Sequence, residues 1–207
     1  MSWLPVFKLG LWNAWILMLV IVMHPFILLA VDRAAGTGGI LKKMGDAPTD
    51  QREKRLETLT TLVLYLFIFA TLFLPLKTGT GWFYAGLALW LVGMAIFLWA
   101  AFSAAVTPVG QVFERGIYRF SRHPFYLSIL VMMLGAVLAS EAWVFLPLPA
   151  IFIILMKTQA AAEERACLAA FGDTYRAYMS RTPRWIGLPR RCERQGQPSG
   201  SPPTNTI

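Results

Sequence analysis

The chain has 207 residues, 57% of them apolar and 14% charged, with a mean hydropathy of +0.55. That balance excludes an ordinary water-soluble domain of this size. The net charge of +8 is not by itself a nucleic-acid footprint, because basic residues in so apolar a chain report membrane orientation first.

Crossing a hydrocarbon layer takes roughly 20 apolar residues as a helix, and runs of that order occupy residues 9–31, 58–76 and 82–106, followed by shorter ones at 125–140 and 143–158. The alternation of a membrane barrel is absent from them, so backbone satisfaction inside a bilayer predicts helices. The expected fold is all-α, a polytopic membrane protein with five transmembrane helices. The first run is too long for the apolar part of a signal peptide and is interrupted at His24-Pro25, so it is read as a retained span. His24 itself is expected to pack and hydrogen-bond.

Residues 32–57 connect the first two spans, Gly-rich from Gly36 to Gly39 and ending in the charged run from Asp50 to Glu57, a solvated helical lead-in. The third run carries Gly86, Gly93, Ala100 and Ala104 on one stripe, suited to close approach by a neighbouring helix. Trp3, Trp12, Trp82, Trp99 and Trp143 fall near predicted helix ends, as interfacial anchors do. The fourth and fifth runs form a hairpin joined at residues 140–143. Beyond it a helical continuation runs from Glu163, with a break at Phe171-Gly172, a face shared by Tyr175, Tyr178 and Met179, and a stop at Pro183. Residues 189–207 are too polar and Pro/Gly-rich to order themselves and are expected to be a disordered tail.

All of the 19 basic residues except Lys8 and Lys77 fall on one side of this arrangement. The positive-inside rule therefore predicts an external N-terminus and a cytoplasmic C-terminus, which an odd number of spans satisfies. Cys167 and Cys192 both follow the last apolar run, and neither a disulfide framework nor a metal-ligand spacing is available; no metal site is expected.

The open ends of the hairpin carry the chemistry. Arg119, Arg122, His123 and Tyr126 stand at one end, with Pro124 at the first-turn position where a missing amide proton costs nothing. Gln159, Glu163 and Glu164 stand at the other. Ionisable groups at a membrane edge are functional candidates by default, although taken alone the arginines also suit phosphate headgroups and the glutamates surface ion pairs. Cationic, acidic, imidazole and phenolic groups together suit a polar cofactor that meets a lipophilic substrate.

Order and spacing are more specific. Gly116-Ile117-Tyr118-Arg119, Arg122-His123-Pro124-Phe125-Tyr126, Glu163-Glu164, Phe171-Gly172 with Tyr175 and Tyr178, and Thr182-Pro183-Arg184 resemble the isoprenylcysteine carboxyl methyltransferase and phospholipid methyltransferase superfamily over residues 80–187. The resemblance implies a small integral membrane enzyme that uses S-adenosyl-L-methionine in a pocket at the cytosolic end of the last helices. It implies a single methyltransferase domain over residues 1–188, with the cofactor region at 107–187. Tyr118, Arg122, His123, Pro124, Tyr126 and Leu127 would border the cofactor, Glu163 and Glu164 would complete its polar shell, and Glu163, Glu164 and Arg184 would serve the reaction. Ser128 departs from the family pattern, which places glycine there. The acceptor implied is a lipid or lipophilic small molecule bearing a carboxylate, amine or thiol, with membrane lipids rather than nucleic acid as partners; a bacterial-type inner membrane suits so compact a chain. Two other readings fit the sequence less well: an NADPH-dependent isoprenoid or sterol reductase, which lacks a glycine-rich dinucleotide loop here, and a non-catalytic scaffold or transporter, which lacks the internal repeat common among transporters.

Overall fold

The computed structural model describes residues 7–36 and 50–189, which are helical with connecting turns and one isolated bridge. Of the tail expected over 189–207, residues 190–207 lie outside the described residues, as does the connector over 37–49. In chain order the helices are α1 (Trp15–Val22), α2 (His24–Ala35), α3 (Gln51–Thr71), α4 (Gly81–Ala105), α5 (Pro124–Ser140) and α6 (Pro147–Arg181), with single 3-10 turns at Gly116–Arg119 and Trp143–Phe145.

The first apolar run is a broken span. α1 and α2 meet at an angle of 52°. Pro25 has no amide proton to give the carbonyl of Ile21, and His24 Nδ1 lies 2.7 Å from that oxygen, so the imidazole donates the bond that the proline cannot. His24 thus makes the hydrogen bond expected of it, but its side chain is exposed rather than packed in the protein core.

α3 begins earlier and ends earlier than its apolar run. Asp50 caps it, accepting from the Gln51 amide at 2.6 Å, and the charged lead-in is continuous with the span. The end at Thr71 has a long-range cause. Residues 72–76 leave the helix to pair with the N-terminal segment, through Lys8 N to Phe73 O (3.0 Å), Ala14 N to Leu74 O (2.8 Å) and Leu76 N to Trp12 O (3.1 Å). Asn13, buried, donates through Nδ2 to the carbonyls of Lys8 and Leu72, both at 2.6 Å.

α4 and α5 form the most closely packed pair. A Cβ on Gly86 would lie 2.5 Å from the Gly135 carbonyl oxygen, and one on Gly135 would lie 2.7 Å from that of Gly86, so the two glycines let the backbones touch. Gly93 faces Met132 and the Ser128 carbonyl in the same way. The small-residue stripe is therefore a helix contact. At the other end of the hairpin the Trp82 and Trp143 rings meet edge to face at 5.1 Å.

α6 packs along α3, with Arg165 paired to Glu53 across them. The break expected at Phe171-Gly172 is a kink, with Gly172 at φ 53°, ψ −126°. Beyond it Tyr175 and Tyr178 are buried against Val112, with Met179 packed at the edge.

By length and composition, α4 and the helix through 143–181 can each cross a membrane, and the bent α1–α2 pair makes a third candidate span. α5, at 17 residues, is apolar but shorter. The protein is all-helical among its described residues and has the apolar helices of an integral membrane protein.

Candidate active site

Three segments converge at the polar end of the α5–α6 hairpin: the stretch from the 3-10 turn to the start of α5, the middle of α6, and the strap that follows α6. Gly116 opens the first, at φ 59°, where a Cβ would lie 2.2 Å from Ser103 Oγ. Only glycine fits both the left-handed backbone and the space. Ser121 Oγ then accepts from the His123 amide at 3.2 Å, and His123 is the N-cap of α5 with buried Pro124 next.

After α6 the chain folds back over this segment. Arg122 N donates to Pro183 O at 3.1 Å and Gly187 N to Phe120 O at 3.0 Å, while the Trp185 ring stands 5.9 Å from the His123 ring. This strap delivers Arg184.

His123, only 6% exposed, lies between two carboxylates. Its Nδ1 is 3.3 Å from Glu163 Oε2 and its Nε2 is 3.1 Å from Glu164 Oε1. A neutral imidazole has one donor, so serving both requires the imidazolium. Burial opposes that charge, but the hydrogen bonds and the charges of Glu163 and Glu164 outweigh it and hold the His123 pKa above its ordinary value.

The two glutamates differ. Glu164 is 3% exposed and receives His123 together with a two-pronged contact from Arg184, whose Nε is 3.0 Å from Oε1 and whose Nη2 reaches Oε2. Burial raises its pKa, yet the hydrogen bonds from His123 and Arg184 and the charge of Arg122 carry it down to about 2. The apolar run of α6 has ended before this point, so both carboxylates stand beyond it. Glu163 keeps a side chain half exposed to solvent and accepts from the Tyr126 hydroxyl.

Arg122 is the unbalanced member. Its side chain is 9% exposed and its Nη1 is 3.4 Å from Glu164 Oε1, a proximity without hydrogen-bond geometry. Among the described residues neither Nε nor Nη1 has a hydrogen-bond partner. Buried guanidinium N–H groups without acceptors are costly. With Arg122, Arg184 and the imidazolium set against two carboxylates, the cluster holds one cation in excess. It has room in its charge balance for one anion.

Arg122, His123, Tyr126, Glu163 and Glu164 thus meet at the open end of the hairpin as its spacing predicts, and Arg184, which the resemblance implied, joins them from the strap. Tyr118 sits one layer away, buried, its carbonyl accepting from Tyr178 Oη at 2.8 Å and its ring 5.3 Å from that of Phe113. Pro124 begins the helix and Leu127 flanks it, half-buried. Ser128 is fully buried with its hydroxyl on the Phe125 carbonyl at 2.7 Å, on a turn whose backbone meets Gly93. The departure from glycine there is absorbed in helix packing. Sequence reasoning missed Ser121 and Trp185, whose contacts depend on the strap, and left Gln159 without a role. A separate cleft of about 220 Å³, lined by Gln111, Glu114, Arg115, Phe171 and Thr174 among others, lies beside the Gly172 kink, away from the His123 cluster.

Residues 106–174 match the phospholipid methyltransferase family model. The match covers the turn, α5 and α6 as far as the kink, and it contains His123, Tyr126, Glu163 and Glu164; Arg184 lies beyond it. The resemblance to this superfamily read from the motifs therefore holds, and methyl transfer is the chemistry that the phospholipid methyltransferase match implies. No curated protein matches the chain.

Proposed function

We propose that the protein is an S-adenosyl-L-methionine-dependent methyltransferase acting on a lipophilic acceptor at the cytoplasmic face of a bilayer. In this reading residues 1–188 form one domain of five spans, with the N-terminus outside, the C-terminus inside and the cofactor region at 107–187. The observation that carries the reading is Arg122, a buried guanidinium with two unpartnered nitrogens beside an imidazolium held between two carboxylates.

The residues fit the cofactor. Its α-carboxylate is the anion that the cluster lacks, and Arg122 Nε and Nη1 are free to donate to it. Its α-ammonium and ribose hydroxyls need acceptors, which Glu163 supplies while Glu164 holds the imidazolium and Arg184, with Tyr126 and Leu127 as walls and Pro124 and Tyr118 packed behind them. When bound, the cofactor supplies an electrophilic methyl group on a sulfonium, and the protein supplies orientation and a dry pocket.

The chain's own groups divide the work by their environments. Glu164 is saturated by His123 and Arg184, and its lowered pKa makes it a poor proton acceptor. Its role is to fix the imidazolium and the strap. Glu163, half exposed and held by Tyr126 Oη and His123 Nδ1, retains an accessible carboxylate, so it receives the proton of an amine or thiol acceptor. A carboxylate acceptor needs no base, and Arg184 then offers the charge that holds it.

Calorimetric titration of the detergent-purified chain with S-adenosylmethionine and its demethylated product tests the reading. Saturable binding that Arg122→Met removes, in protein with an unchanged helical spectrum, supports it. Saturable binding of NADPH in its place overturns it.

A further inference from the structure

The strap that carries Arg184 leaves apolar side chains uncovered just beyond it. Ile186 is 73% exposed and Leu188 83% among the described residues. Gly187, between them, donates its amide proton to the Phe120 carbonyl at 3.0 Å, and the Phe120 side chain is itself exposed. Three uncovered apolar residues from two distant parts of the chain are thus tied together by one backbone bond.

The depth of this ridge follows from α4. The Phe120 ring stands 6.3 Å from that of Trp99, and a Cβ on Gly116 would lie 3.2 Å from Trp99 Nε1, so the turn rests on the tryptophan. Trp99, Phe102 and Val106 are all exposed and share one face of α4 at helical spacing, on a helix long and apolar enough to cross a membrane. Six residues separate Trp99 from the end of α4 at Ala105, about 9 Å along the axis. That is the level at which tryptophan meets headgroups, and the ridge continues the lipid-facing surface of α4 at this level.

Charge indicates which lipids would meet it. Arg115 and Arg119 flank the turn and are exposed, and neither forms an ion pair with a carboxylate among the described residues. In sequence the chain goes on from Leu188 to Arg190, Arg191 and Arg194, against Glu193 as the one acid. Apolar side chains next to a basic run suit the boundary of an anionic leaflet, where the hydrocarbon stems lie among acyl chains and the guanidinium groups meet phosphates.

We propose that Phe120, Ile186 and Leu188 seat the strap in the headgroup boundary of an anionic leaflet of the bilayer that α4 adjoins, with Arg115 and Arg119 on its phosphates. The strap is then held from two sides, inward by Arg184 on Glu164 and outward by lipid. This docking needs no methyl transfer, and its test reads no activity.

The full chain, with Cys167 and Cys192 replaced by serine, is placed in lipid nanodiscs, which leave both faces open to water. A polarity-sensitive fluorophore is attached in turn at Ile186→Cys, at Leu188→Cys and at the reference Arg176→Cys, whose arginine is exposed on α6 beyond the kink. Quenching by aqueous iodide is compared with quenching by a phospholipid bearing a nitroxide near the carbonyl end of its acyl chain. Ile186→Cys and Leu188→Cys are expected to show blue-shifted emission, a several-fold loss of iodide quenching relative to Arg176→Cys, and strong quenching by the nitroxide lipid. Replacing part of the phosphatidylcholine with phosphatidylglycerol is expected to strengthen the lipid quenching, and Arg115→Gln with Arg119→Gln to cancel that gain. Iodide quenching equal to that at Arg176→Cys overturns the proposal. Protection from both quenchers overturns it too, since a protein surface would then cover the ridge, and lipid quenching without a gain from phosphatidylglycerol overturns the anionic partner.

Discussion

Arg184 and Glu164 are joined through two guanidinium nitrogens, although Glu164 is almost fully buried and 39% of the Arg184 side chain is exposed. One end of the contact is fixed in the helix packing and the other is carried by the strap, which is held by backbone bonds to Arg122 and Phe120. Arg184→Lys keeps the charge and loses the fork. It is expected to lower the melting temperature in detergent by less than Arg184→Ala, which removes one partner of a buried carboxylate. For the alanine variant the loss is about 1–2 kcal/mol, below the value for a fully buried pair because water already screens the arginine. Equal melting temperatures for the two variants would mean that the fork is not what holds the strap.

The His123 and Glu164 contacts also set a pH window. Glu164 has a lowered pKa, so its contribution to stability is present above the ordinary carboxylate value near 4.5 and is lost as pH falls towards about 2. His123 has a raised pKa, so its contribution is complete below the ordinary histidine value of 6.5 and is lost as pH rises through the raised one. Melting temperature should therefore pass through a plateau between roughly pH 4.5 and 6.5 and decline on both sides. His123→Asn should flatten the alkaline decline and leave the acid one. A wild-type profile that rises from pH 6 to pH 9 would show that the imidazole is neutral between its carboxylates.

Much of this site could be read along the chain because its parts lie at helix ends. Pro124 announces the start of α5, the end of the apolar run announces the polar part of α6, and Gly172 announces the kink. What could not be read depends on contacts distant in sequence. The two adjacent glutamates look alike in the sequence, and only the strap and the Arg122 backbone bond to Pro183 make one of them buried and the other half exposed. The end of α3 at Thr71, five residues before its apolar run stops, follows from pairing with residues 8–14, which hydropathy does not encode. The 52° bend between α1 and α2 is signalled by His24-Pro25, but its size is set by packing.

The α4–α5 contact makes a sharper claim on stability than any ion pair. A Cβ at Gly86 would sit 2.3 Å from the Ala139 amide nitrogen, and backbone cannot give way as a side chain can. Gly86→Ala should cost about 1–3 kcal/mol through helix separation and should weaken the site indirectly, since α5 carries His123 at its cap. Gly81→Ala, where nothing lies within 4 Å of the added carbon, is the control and should be nearly neutral. Equal effects of the two substitutions would remove close backbone approach as the reason for glycine at position 86.

The proposed topology makes the last prediction. Lys8 and Lys77 are the two basic residues assigned to the external side, and the structure places them at one end of the bundle, where Lys8 N bonds Phe73 O at 3.0 Å and Lys77 N bonds Ala139 O at 3.0 Å. Arg122, Arg165 and Arg184 gather at the other end with the carboxylates. In a background with Cys167 and Cys192 replaced by serine, Lys8→Cys and Lys77→Cys should react with a membrane-impermeant maleimide applied outside intact cells. Arg176→Cys, on the exposed part of α6 beyond the kink, should react only after the membrane is opened. Because the three positions are read in one topology, labelling of Arg176→Cys in intact cells would invert the protein and put the His123 cluster on the external face, where an intracellular cofactor could not reach it.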